Sequence, residues 1–193
     1  MHSALGPWSV RCIVGLFWLA AGGICWRYLV LPDDSVSNIT LAIALILVCI
    51  DQGRMAWVDL ANIHQISLTD QRVVRFYIVT LTTIVIELIG FYLAWHHLVL
   101  GMAIFLISQL LFNTAAKVRL YPHSQEPIRP FPREERWPVL VANGIALSLI
   151  ALWQADHFRQ LTSMLWLSMV VIYLIVKYWG TGTDVVETEG KHL

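Results

Sequence analysis

KVRLYPHSQEPIRPFPREER, residues 117–136, is the one long polar interruption in an otherwise apolar chain. It carries Lys117, Arg119, Arg129, Arg133 and Arg136 together with Glu126, Glu134 and Glu135. Four prolines, Pro122, Pro127, Pro130 and Pro132, fall in the same stretch. Proline removes a backbone donor, and hydrocarbon tolerates no unpaired backbone, so these residues are expected to form neither a helix nor a membrane span. Four apolar segments precede the interruption and two follow it, which makes the expected fold an all-α, polytopic membrane bundle of six transmembrane helices.

Composition supports that class. The chain has 193 residues, of which 58% are hydrophobic and 13% charged, with a mean hydropathy of +0.65. Soluble chains carry about 25% charged residues. The formal net charge is +0, so total charge gives no reason to expect a nucleic-acid partner. Cys12, Cys25 and Cys49 all sit in apolar runs without CxxC spacing, which reads as small apolar side chains and argues against a zinc site or a disulfide scaffold. No Ser/His/Asp set, P-loop or glycine-rich dinucleotide fingerprint occurs, and neither an enzyme nor a cofactor is expected.

Taken in order, the spans are expected near residues 8–31, 39–60, 73–95, 98–116, 137–153 and 161–179, with a basic loop at 117–136 and a flexible tail at 180–193. The first resembles a cleaved signal in having Arg11, an apolar run and the small residues Ala20, Ala21, Gly22 and Gly23. Its apolar run continues through Trp26 to Leu31, long enough to span, so it is expected to be retained. The second has a purely apolar run only from residue 39 to 50, too short to cross ~30 Å of hydrocarbon at about 1.5 Å per residue. The helix must therefore continue through Asp51-Gln52-Gly53-Arg54. On such a helix Asp51, Arg54, Met55, Asp59, Asn62 and Gln65 share one face, while Gly53, Trp57, Leu60 and His64 share the other. Ser67-Leu68-Thr69-Asp70 fits a capping pattern for the start of the third span. His96-His97 leaves only a short turn between spans three and four. No GxxxG and no internal repeat is present.

Of the 13 Lys and Arg residues, only Arg27 and Arg159 fall on the side opposite the basic loop. The positive-inside rule then places both termini and residues 117–136 in the cytoplasm, or in the stroma for a thylakoid protein. Of the nine tryptophans, only Trp18 and Trp166 fall mid-span, as an interfacial aromatic belt requires.

Glu87 is the most informative residue. An ionisable group at that depth costs at least about 2.5 kcal/mol unless it is un-ionised or partnered. It is either a proton or ion relay, or an un-ionised acid hydrogen-bonded to Ser108 or Gln109 that assists assembly. Asn113 and Asn143 are further polar intramembrane candidates. Asp51 and Arg54, at i and i+3, are either a headgroup site or an intrahelical ion pair. They depart from the pattern of the CDP-alcohol phosphotransferases, which requires Asp-Gly, Ala-Arg and two further Asp on the same helix. His96, His97 and His157, with Asp33, Asp34 and Asp156, could converge on a metal on the outer side; solvated turns are the alternative, and no metal is expected.

Ser108-Gln109-Leu110-Leu111-Phe112-Asn113, the basic loop, and Glu135-Arg136-Trp137-Pro138-Val139-Leu140-Val141-Ala142-Asn143 together resemble small integral membrane proteins of cyanobacteria. The resemblance covers about a third of the chain and implies a thylakoid or plasma membrane location, with no activity attached. The function expected from sequence is a non-catalytic subunit or assembly factor of a larger, photosynthetic membrane complex. Its partners would be the lipid bilayer and other integral membrane proteins. The alternatives are a small proton-coupled transporter using Glu87, and a lipid- or quinone-modifying enzyme.

Overall fold

The computed structural model describes residues 6–31, 35–66, 68–156 and 158–189. Six α-helices follow one another: α1 (Pro7–Cys25), α2 (Val36–Gln65), α3 (Gln71–Leu93), α4 (Leu98–Ala115), α5 (Arg133–Gln154) and α6 (Arg159–Glu189). All six are long and apolar enough to cross a membrane, the sixth over Arg159–Trp179. The fold is therefore the all-α, six-helix membrane bundle read from the apolar segments.

Local chemistry sets the helix ends. Ser35 Oγ accepts from Asn38 N at 3.3 Å and starts α2. Asp70 caps α3, its carboxylate accepting from Arg72 N at 2.7 Å. Ser67 lies outside the described residues. The Arg72 side chain also hydrogen-bonds the Asp70 carboxyl and holds it below the usual carboxylate range. Glu134 and Glu135 in the first turn of α5 suit the positive end of its dipole.

The long second helix is the centre of the bundle. Its 30 residues reach about 45 Å at helical rise, well beyond ~30 Å of hydrocarbon. It packs along α1 on one side and α6 on another, and also touches α3 and α4. That is why both expected faces are used: Asp51, Gly53, Ala56 and Leu60 are all buried, whereas Arg54, Trp57 and His64 are exposed. A Cβ at Gly53 would lie 3.0 Å from Phe17 Cβ, so the glycine sets the α1–α2 approach. Phe17 in turn meets Phe91 edge-on, with ring centroids 5.9 Å apart.

Three expectations need correction. Residues 117–136, read from sequence as a loop without helix, hold strands β1 (Val118–Leu120) and β2 (Ile128–Pro130), and α5 begins at Arg133. The strands pair antiparallel, Val118 with Pro130, Arg119 with Arg129 and Leu120 with Ile128. Val118, Leu120 and Phe131 are buried, so the hairpin is folded against α2 and α3 instead of trailing in solvent. Second, α6 continues to Glu189, into the stretch expected as a tail. Third, the aromatic belt is incomplete. Trp8, Trp26, Trp57, Trp137 and Trp179 are exposed, but Trp153 is buried and Trp95 turns inward, its Nε1 donating to Ala20 O at 3.2 Å.

Candidate functional site

A cavity of about 610 Å³ lies between α2, α3, α4, α6 and the hairpin. Its deep end is amide and carboxyl chemistry. Gln109 Nε2 donates to Glu87 Oε1 and also reaches Gln52 Oε1 at 3.3 Å, so its two protons tie α4 to both α3 and α2. One turn on, Asn113 Nδ2 donates to Gln109 O at 2.8 Å. Thr80 and Thr83 line the same cavity from α3; both are buried, and neither hydroxyl has a hydrogen-bond partner among the described residues. Leaving a buried hydroxyl unpaired costs about 1–3 kcal/mol, so these two threonines are the costliest polar groups on the cavity wall.

Towards the hairpin the wall is formed by Asp59, Asn62, Arg119 and Tyr121. Asn62 Nδ2 donates to Leu120 O at 3.3 Å and fixes the hairpin over the α2 end. Arg119 is engaged outside, with Glu135 at 2.9 Å and over the Phe131 ring at 4.1 Å. Arg136 Nη1 donates to Asn113 O at 3.2 Å and Ala116 O at 3.3 Å, supplying partners to the carbonyls left free at the end of α4.

A second polar cluster closes the α2–α6 side. Asp51 is 3% exposed and accepts Lys177 Nζ at 2.6 and 2.8 Å. Tyr178 OH donates to it at 2.7 Å and Tyr173 OH at 3.2 Å. Four donor contacts on one carboxylate offset much of the cost of burying it. The expected Asp51–Arg54 pair does not form: Arg54 lies on the exposed side of α2, over the Tyr178 ring at 4.7 Å. The partner that counts is on α6, and spacing along α2 alone could not reveal it.

Glu87, Gln109 and Asn113 thus share one cavity, with Ser108 buried beside them and its hydroxyl donating to Phe105 O at 2.6 Å. Asn143 stands apart, half-buried on α5 and off the cavity wall. Among the described residues no three His, Cys, Asp or Glu side chains gather to hold a metal. His96 and His97 are exposed at the opposite end, and His157, Asp33 and Asp34 lie outside the described residues. Sequence reasoning passed over Lys177, Tyr173, Tyr178, Thr80, Thr83 and Asp59 as site residues. Lys177 was counted only for orientation, although a lysine flanked by two tyrosines inside an apolar span is itself a signal of a buried partner.

The chain matches no protein-family model, no curated protein and no solved structure.

Proposed function

We propose that the chain is a multi-pass membrane carrier that takes a small organic cation into this cavity and exchanges it for a proton at Glu87. The observation behind the reading is the charge balance of the wall. Glu87 and Asp59 both line it, and among the described residues neither has a basic side chain within salt-bridge distance. The two basic residues that also line it are already engaged, Lys177 with Asp51 and Arg119 with Glu135. A cavity of about 610 Å³ falls within the roughly 300–1,000 Å³ typical of small-molecule sites.

A cation entering from the hairpin side would pair with the carboxyls, a guanidinium through its N–H groups and a quaternary ammonium by charge alone, while the Thr80 and Thr83 hydroxyls and the Asn113 amide oxygen accept from its N–H groups or from a neighbouring hydroxyl. Glu87 can pair with a cation only after releasing its proton, and takes one up again when the cation leaves. That is the stoichiometry of exchange. Both termini and the hairpin are assigned to the cytoplasmic or stromal side by the Lys/Arg distribution. The likeness to cyanobacterial proteins favours a thylakoid or plasma membrane. The accessory-subunit reading draws on α5 and α6, whose outer faces expose Trp137, Ile145, Ile172 and Trp179, surface that lipid covers equally well.

Proteoliposomes carrying a lumenal pH dye test the exchange. Guanidinium and choline are suitable solutes because neither ferries a proton across lipid by itself. Adding either outside should make the lumen alkaline with the wild-type protein and leave it unchanged with Glu87→Gln. A folded wild-type protein that moves no protons with either ion removes the reading.

A further inference from the structure

The cavity between α2, α3, α4, α6 and the hairpin carries acid at two depths. Gln52 and Asp59 line it from the same helix, α2, and their seven-residue spacing sets them about 10 Å apart along the axis. Gln52 marks the level of Glu87, because Gln109 Nε2 reaches the side-chain oxygens of both. One carboxyl therefore stands at the deep end, on α3, and the other about two turns nearer the hairpin, on α2. Among the described residues the Asp59 side chain makes no hydrogen bond or salt bridge, with Glu87 or with any other group. Between the two levels the wall is largely apolar. Met55 and Ala56 lie about one turn from Gln52, Ile84 one turn from Glu87 and Phe112 one turn from Gln109, each on the hairpin side.

The charges on the wall do not cancel. Lys177 and Arg119 line the cavity too, but each is matched by an acid that does not, Asp51 at 2.6 Å and Glu135 at 2.9 Å. Those two pairs are neutral units, which leaves Glu87 and Asp59 as the acids to be balanced. A single cation can balance only one ionised carboxylate, and an ionised carboxylate left unpaired away from water is costly. A molecule with two cationic centres balances both.

We infer that the ligand is a short aliphatic dication, an α,ω-diamine, with one ammonium at Glu87 and the other at Asp59. Its methylenes lie against Met55, Ile84 and Phe112. The inference rests on the cation reading of this cavity and adds the class of cation. A charge-assisted contact of about 2.8 Å at each end leaves roughly 5 Å between the two nitrogens, so the chain is a short one.

Calorimetric binding to the detergent-purified chain tests it with putrescine (tetramethylenediamine), butylamine and octamethylenediamine. All are charged at neutral pH, because alkylamines titrate much as lysine does, near about pH 10. Wild type should bind putrescine about tenfold more tightly than butylamine, the size of one added charge-assisted contact. Octamethylenediamine is more apolar but too long for the spacing, and should bind more weakly than putrescine, the reverse of what apolar attraction alone gives. Asp59→Asn keeps the shape and removes the charge, and should bring putrescine down to the level of butylamine. An unchanged melting temperature without ligand verifies the fold of that variant. Putrescine held no tighter than butylamine, or a preference that survives Asp59→Asn, overturns the inference, as does octamethylenediamine bound as tightly as putrescine. Guanidinium-driven proton movement by the same wild-type preparation keeps the underlying reading separate. Proton movement without a preference for putrescine removes the dication alone, whereas a preference for putrescine without proton movement supports the ligand class and removes only the exchange.

Discussion

Lys177 Nζ sits 2.6 and 2.8 Å from the two carboxylate oxygens of Asp51, joining residues 126 positions apart in the chain. This contact, with Tyr173 and Tyr178 beside it, is the polar lock between the central helix and the last span. A buried pair is costly to halve: removing one partner strands the other charge, typically at about 3–5 kcal/mol, whereas removing both is far milder. Asp51→Leu alone should therefore lower the melting temperature in detergent more than Asp51→Leu with Lys177→Met. Equal effects would mean that the two side chains do not depend on each other.

The α3–α4 hairpin rests on backbone contact at two glycines. A Cβ at Gly101 would lie 2.6 Å from Ala94 Cβ, and one at Gly90 would lie 2.9 Å from Gly101 O. Neither neighbour is a flexible side-chain end, so the helices must separate to admit a methyl. Gly101→Ala should destabilise by about 1–3 kcal/mol, as overpacking does, and should also weaken ligand binding by shifting Gln109 away from Glu87. Gly22→Ala is the control, because nothing lies within 4 Å of a Cβ there. Thermal melts of the two variants side by side decide it.

The apolar segments disclosed the six spans because hydrocarbon imposes length and composition on each helix separately. What lies between helices was less legible. The link between Glu87 and Gln109 could be foreseen, since a short turn fixes the relative depth of α3 and α4. Lys177 could not be assigned to Asp51, because nothing in either sequence segment sets the rotation of α6 against α2. The β-hairpin was hidden by its prolines, although Val118-Arg119-Leu120 and Ile128-Arg129 do alternate apolar and charged residues as strands require. Pro130 sits at the end of its strand, where a missing donor does little harm.

Arg136 joins the hairpin region to the end of α4 through the Asn113 and Ala116 carbonyls. Arg136→Ala should leave the transmembrane core intact while loosening the cover of the cavity. Limited proteolysis within residues 121–127 should accelerate, with the melting temperature falling by less than for Asp51→Leu. Unchanged proteolysis would show that Arg136 is dispensable and that burial of Val118, Leu120 and Phe131 with the Asn62 bond to Leu120 O holds the hairpin.

Orientation can be read with cysteine labelling in a background where Cys12, Cys25 and Cys49 are alanine. Ser124 lies in the hairpin loop and His97 in the turn between α3 and α4, at opposite ends of the bundle. An impermeant maleimide added outside cells should modify His97→Cys and spare Ser124→Cys. The reverse pattern would invert the Lys/Arg assignment and place the hairpin-side cavity on the outer face.

Glu87 separates packing from exchange when two substitutions are compared. Glu87→Gln keeps the shape and an oxygen that accepts from Gln109, so its melting temperature should stay close to wild type. Glu87→Leu removes the acceptor and strands a Gln109 proton inside the bundle, and should cost on the order of 1 kcal/mol, the usual scale of a hydrogen bond in a membrane protein. A side chain that only holds α3 to α4 would leave Glu87→Gln active and Glu87→Leu impaired in proportion to its stability. A proton-exchanging carboxyl gives a different split: both variants are inactive, and Glu87→Gln is inactive although fully folded, because an amide cannot release and regain a proton at working pH. Melting temperature and guanidinium-driven proton movement, measured on the same two preparations, distinguish these outcomes. A stable and active Glu87→Gln would return Glu87 to a structural role.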